Sequence, residues 1–574
     1  MKGLSILYGM TALLAAALGV AGGPEAQKTA RPKKLIATGW DKADPEWLAK
    51  NLAEMEKRPF DGVVIEVAGR ADDKRRCAMR QTFSRDPWQR EWFDSELKTL
   101  QQCKFTRFTD NFVTVGANPG NVDWFDDAGW EAIVAHWRIA ARFAKDVGFK
   151  GLLFDPEPYT KPWSQFSHSA QPERDKHSFD DYCAKARERG REVMRAVAAE
   201  HPDITLFSYF MNSVVASAAG HRNPRQALAA LGYGLLPAFV DGWLDAAPPT
   251  VTMVDGCESA YRYNSDQEFL EAAVRIKGAC QSLVSPENRA KYRAQVQAGF
   301  GIYLDAYWNP PESPWYVDGK GRSRVERLGV NVRTALRVAD EYVWVYGEKF
   351  RWWPTPNKSV RPQTWDEAMP GCDRELALAR DPIAYGRSRV AELDKTGKLV
   401  NLARNGDFAS DKAEGAEGSA IVWKEGRPPA GWSGWQEDSS KGDFTWDREA
   451  GASTTGSAQA AKGSARAANV ASGCFLQRIN VQPGERYAVY AVRKIAGKGE
   501  ASVRVRWQTS DSKWTAESRD VLLFADGPRD QWREMFGVVE APEGVGQLVI
   551  LLGVRGQTSP DDIAWFDDVA VYNL

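Results

Sequence analysis

Gly148-Phe-Lys-Gly-Leu-Leu-Phe-Asp-Pro-Glu-Pro-Tyr159 runs from a short apolar stretch, Leu152 to Phe154, into two carboxylates, two prolines and a tyrosine. Its brevity and flanking glycines read as a buried parallel strand. Pro156 and Pro158 cannot continue a central strand, so the strand stops at about Asp155. Asp155 and Glu157 are two apart and share a side of extended backbone, with Cα atoms about 6 to 7 Å apart. Paired acids at the carboxyl end of a parallel strand are where barrel enzymes place their chemistry. The plainer reading is a strand-end turn with Glu157 merely solvated.

Working outward, short apolar runs alternate with amphipathic stretches. Leu35 to Trp40, Gly62 to Val67 and Asn111 to Gly116 precede the opening stretch as strands. Ile204 to Phe210, Val251 to Val254, Gly301 to Asp305 and Glu341 to Tyr346 follow it. Helices are expected from Asp44-Pro45, near 90–103, and over 128–147, 180–200, 267–298, 325–339 and 382–393. Eight strands alternating with helices predict a (β/α)8 TIM barrel with loop insertions over 27–397. An open doubly wound sheet fits less well, because no G-x-G-x-x-G follows any strand. Near Lys398 the helical patterning ends, and short alternating strands predict an all-β sandwich over 398–574.

The net charge of −1, with 26% charged residues, offers no basic excess for nucleic acid and no acidic bias towards disorder. Leu4 to Ala21, followed by small residues, reads as a secretory signal peptide over about 1–26; a membrane anchor is the competitor. The mature chain is thus expected to be secreted or periplasmic, with no membrane span. Seven cysteines leave at least one thiol unpaired within the chain, and five histidines with no H-E-x-x-H give zinc little support.

Cleaving a glycosidic bond needs a proton donor to the leaving oxygen and an anionic group, or a substrate amide, facing the oxocarbenium charge. Glu157 is the candidate donor, with Asp155 beside it. Glu258, after the sixth strand, or Asp305, at the end of the seventh, is the candidate nucleophile or base. Each could instead cap a helix or bridge an arginine. Glu66 and Glu348 also lie at strand ends. Trp40, Tyr159, Tyr209, Tyr261, Tyr303, Trp308, Trp315 and Trp352 fall at or after strand ends and are candidate stacking walls for sugar rings. Asn212 and Asn118 are candidate hydroxyl ligands. No cofactor is expected for catalysis.

The opening stretch resembles the fourth-strand motif of family 18 chitinase-like glycoside hydrolases, with Lys150 and Leu152 where that motif carries acids. The resemblance implies Glu157 as the acid and Asp155 orienting an acetamido group. Leu399 to Phe408, Gly431-Trp432 with Trp435, Val481 to Tyr487 and Trp565 to Tyr572 resemble jelly-roll carbohydrate-binding modules of the family 4/9/22 type. That resemblance implies a galactose-binding-like domain with a structural calcium near Asp407 and Asp568. Together these imply a secreted glycoside hydrolase acting on a poly- or oligosaccharide. The alternatives are a non-catalytic glycan-binding protein with a degenerate barrel, or a metal-assisted barrel hydrolase.

Overall fold

The computed structural model describes residues 32–71, 76–160, 164–409, 429–452 and 463–574. The signal-peptide expectation over 1–26 lies outside the described residues. The barrel strands are β1 (Lys34–Gly39), β2 (Gly62–Ile65), β3 (Phe112–Gly116), β4 (Gly151–Asp155), β5 (Thr205–Ser208), β6 (Thr252–Asp255), β7 (Val296–Ala298), β8 (Phe300–Tyr303) and β9 (Tyr342–Gly347). All their contacts are parallel, in the order β8-β9-β1-β2-β3-β4-β5-β6-β7. The two ends of that order, β7 and β8, are consecutive in the chain and meet at Gly299. Gly299 N–H donates to Asp255 O (2.8 Å), and Ala298 O accepts from Asp340 N–H (2.9 Å). The expected seventh strand, Gly301 to Asp305, is observed as β8, and β7 precedes it in residues expected to end a helix; together the two nearly close the barrel. A Cβ on Gly299 would meet Tyr342 O at 3.0 Å, so no larger residue fits that corner without displacing backbone.

Local chemistry sets the element boundaries. Asp44 accepts the Trp47 N–H (2.8 Å) and Pro45 opens the first helix, Pro45–Met55. β4 is buried along its whole length. Gly151 approaches β5 so closely that a Cβ would lie 2.1 Å from Thr205 O. The helix expected over 267–298 is instead broken. It runs over Asp266–Lys277, gives way to 3-10 turns around Pro286, resumes over Arg289–Gln295, and then enters β7. Gly278 and Ser285-Pro286 interrupt an apolar periodicity that otherwise runs through. The helix expected near 90–103 covers Asp94–Gln101.

A second hydrophobic core lies between two five-stranded antiparallel sheets. Their strands are β10 (Ser433–Gln436), β11 (Asp443–Asp447), β12 (Ser464–Ala468), β13 (Ser472–Asn480), β14 (Arg486–Ala496), β15 (Glu500–Gln508), β16 (Val521–Leu523), β17 (Arg533–Glu540), β18 (Gln547–Arg555) and β19 (Ile563–Asn573). The sheets run β10-β13-β18-β15-β16 and β11-β12-β19-β14-β17. The fold is a TIM-type barrel followed by a β-sandwich. Cys103, Cys183, Cys257, Cys280, Cys372 and Cys474 are free thiols, and among the described residues no helix is long and apolar enough to cross a membrane.

The sandwich docks on the last barrel helices. Gly386, in the helix Pro382–Lys395, lies against Val538 and Phe536 of β17. Arg486 grips the fully buried Glu375 with two hydrogen bonds of 2.7 Å and reaches Glu540 at 3.1 Å. Removing one partner of a buried pair costs about 3–5 kcal/mol, because the other charge stays buried. Arg486→Met is expected to destabilise the chain on that scale in denaturant unfolding, and Glu375→Leu in the same chain should recover most of the loss.

Candidate active site

The strand ends β1 to β6, β8 and β9 converge on a cleft of about 970 Å³. Asp155, Glu157, Glu258, Glu348, Trp40, Tyr159, Tyr209, Tyr261, Tyr303 and Trp315 all line it, as do Asn118 and Glu66. The period-2 argument for the opening stretch holds. Asp155 and Glu157 face the same cleft, and one phenol touches both: Tyr159 Oη lies 2.9 Å from Asp155 Oδ2 and 2.7 Å from Glu157 Oε2. The loop is braced from within. Glu157 N–H donates to Asp155 Oδ1 (3.0 Å), Asn118 Nδ2 donates to Glu157 O (2.9 Å), and Tyr159 N–H donates to Asn118 Oδ1 (2.9 Å). Tyr159 is 61% exposed, while its hydroxyl is engaged by both carboxyl groups.

Electrostatics separate the acids. Burial, reinforced by the Glu157 charge, pushes the Asp155 carboxyl up to about 6, against the Glu157 N–H and Tyr159 hydrogen bonds. Burial, with the charges of Glu157, Asp155 and Glu348, pushes the Glu258 carboxyl up to about 8. Glu258 is therefore biased towards its protonated form. Glu348 accepts from Tyr303 Oη at 3.0 Å.

One wall is aromatic. Tyr261 stacks on Tyr303 with centroids 5.0 Å apart, and Trp315 meets both edge-on. Beneath them Tyr209 stacks on Trp344 at 4.4 Å and holds Thr38 Oγ1 at 2.9 Å. Flat apolar faces beside carboxylates suit a ring that carries C–H patches and hydroxyls.

Four sequence candidates lie elsewhere. β8 ends at Tyr303, and Asp305 opens a short helix, Asp305–Trp308. Its carboxylate is fully buried, accepts the Glu348 N–H (2.9 Å), and is pushed up to about 6, chiefly by burial. Asp305 thus holds the Glu348 backbone and does not line the cleft. Asn212 is fully buried in the 3-10 segment Asn212–Gly220 that follows β5. Trp352 is core, packed against Phe60 and Trp365. Trp308 packs edge-on to Phe350, with Lys349 and Arg361 over its ring. Conversely, Lys42, Arg80, Tyr346 and Asn357 line the cleft without having been singled out. Lys42 donates to Gly39 O (2.8 Å), and Arg80 pairs with Glu66 at 2.8 Å. Burial pulls the Lys42 ammonium down, opposed by Glu66, Asp155 and Asp41.

In the sandwich, the register of β19 against β14 shifts between Tyr490 and Val492, where Asp568 takes φ 48°. The neighbouring Asp567 carboxyl is pushed up to about 7 by burial, with Asp568 and Asp407 adding to the shift. Asp567 is therefore within electrostatic reach of both Asp568 and Asp407. Among the described residues, no group of three or more His, Cys, Asp or Glu side chains is disposed to hold a metal ion.

No protein-family model matches the chain, and no curated protein matches it. Solved structures show partial likenesses. The CBM22-1–GH10 modules of Clostridium thermocellum endo-1,4-β-D-xylanase 10B, complexed with xylohexaose, match at 14% identity and TM-score 0.20, over 25% of this chain and 26% of that one. The arabinose-bound MgGH51 α-L-arabinofuranosidase matches at 11% and 0.22, over 31% of this chain and 27% of that one. A CBM4 structure matches at 18% and 0.20, over 30% of this chain and 99% of that one. The match thus spans about a quarter of the length of the xylanase and the arabinofuranosidase.

Proposed function

We propose that the chain is an exported glycoside hydrolase that cleaves a poly- or oligosaccharide in this cleft, with Glu157 as proton donor and the sandwich as a carbohydrate-binding module. The observation that carries this reading is the convergence of Asp155, Glu157 and Glu258 with the Tyr261–Tyr303–Trp315 wall in one cleft at the carboxyl ends of the strands. Glu157 protonates the leaving oxygen, while Glu258, on the neighbouring side of the mouth, meets the anomeric centre as nucleophile or as base for water. The anomer first released, read by NMR, assigns that choice. The resemblance of the opening stretch to the family 18 motif supports the same residue as the acid. A panel of polysaccharides incubated with the wild-type chain, scored for new reducing ends, tests the reading. A non-catalytic glycan-binding protein would bind members of the panel and release none.

One observation favours a second assignment. Because Glu258 retains its proton to about pH 8, it can itself serve as donor, with Glu157 as the anionic partner. The pH profile of kcat/KM separates the two. With Glu258 acting ionised, the profile rises towards about pH 8; with Glu258 as donor, it falls above about pH 8.

Calcium at Asp407 and Asp568 rests on the jelly-roll resemblance and on oxygen-only donors, and no step is assigned to it. If it binds, EDTA lowers the Tm of the full chain and added calcium restores it. An unchanged Tm removes the proposal.

A further inference from the structure

We propose that Tyr159 is a positioning residue that relays a proton between Asp155 and Glu157. The inference rests on the reading of Glu157 as proton donor and deepens it. Its basis is a count of protons. The phenol oxygen is within hydrogen-bond distance of both carboxyl groups, at 2.9 and 2.7 Å, yet carries one proton. With both acids ionised, only one of these contacts is a hydrogen bond. With one acid protonated, both are: the acid donates to the phenol, and the phenol donates to the carboxylate.

The geometry therefore selects the singly protonated pair and links its two forms. With the pair's one proton on Asp155 and Glu157 ionised, the Asp155 O–H bond breaks as a new Tyr159 O–H bond forms, which loads Glu157 for protonation of the leaving oxygen. The original Tyr159 O–H bond breaks as the Glu157 O–H bond forms. Two protons move, Tyr159 ends neutral, and the negative charge ends on Asp155. No carboxyl group has to turn, because Asn118 and the Glu157 N–H hold the loop from below. The unit faces Lys42 after β1, Glu66 after β2, Tyr209 after β5, Glu258 after β6, and Tyr346 and Glu348 at the end of β9. Lys42 favours the charged pair, whereas Glu258 and Glu348 favour its protonation.

Tyr159→Phe tests this, and the exposure of the residue makes a folding failure unexpected. In the substrate-free full chain, carboxyl 13C NMR should show the wild-type pair titrating in two well-separated steps. In the variant the acidic step should move to higher pH and the gap should narrow, because the bridge that favours single protonation is gone. On a cleaved glycan, kcat should fall about tenfold or more with little change in KM. The proton inventory in mixed light and heavy water should change from curved to linear. An unaltered titration in Tyr159→Phe overturns the relay, whether or not a substrate is known. A chain that cleaves no glycan, but whose pair titrates as described, defeats the hydrolase reading and leaves the proton bridge standing.

Discussion

Glu157→Gln is expected to lower turnover of an unactivated glycan by about 10²- to 10⁴-fold, the range over which a positioned proton donor contributes. The amide keeps the shape of the side chain and can still meet the Tyr159 hydroxyl, so cleft and fold should persist. The first step on an aryl glycoside with a good leaving group should be largely spared, because such an oxygen departs with little protonation. Binding of the intact glycan should remain. This pattern assigns Glu157 as donor, whereas loss on both substrate types would assign it to the anomeric centre. Asp155→Asn should shift the basic limb of the pH profile to lower pH by removing a like charge beside Glu157.

Glu258→Gln is expected to abolish turnover on activated and unactivated substrates alike, since leaving-group quality does not replace a group acting at the anomeric carbon. It should also stabilise the fold. The Glu258 carboxyl rises from an ordinary 4.5 to about 8 on folding. Between those values the folded chain holds a proton that the unfolded chain has released, so wild-type stability falls as pH rises from 4.5 through 8. The penalty is absent below about 4.5 and complete above about 8, where it reaches on the order of a few kcal/mol. Glu258→Gln removes that slope. Its gain in denaturant unfolding should therefore be small at pH 4.5 and largest above pH 8. Asp155 contributes with the same sign over a lower window, ending near pH 6. Equal stability of variant and wild type at pH 8.5 would show that Glu258 is not held in this environment.

The barrel was legible because most of its parallel strands are apolar runs too short for a helix, with glycine, proline or acid close by. The pairing of Asp155 with Glu157 was legible because period 2 is strict in extended chain. Asp305 was misplaced because the apolar run of β8 continues through Leu304, while the turn that buries Asp305 depends on the distant Glu348 N–H. Trp352 and Trp308 carry no local mark that tells a core plate from a cleft wall. Lys42, Arg80 and Tyr346 reach the cleft only through closure of β1, β2 and β9, which no local pattern encodes. β7 was hidden for the same reason: Val296–Ala298 continues a stretch read as helix to 298, and its pairing serves the closure of the sheet.

The most direct measurement is a crystal structure of Glu157→Gln with an oligosaccharide that the wild-type chain cleaves. The account predicts sugar rings against Tyr261, Tyr303 and Trp315, with the scissile oxygen about 3 Å from the side-chain amide of residue 157. A scissile bond lying away from residue 157, or wild-type cleavage of the oligosaccharide by Glu157→Gln, would contradict it.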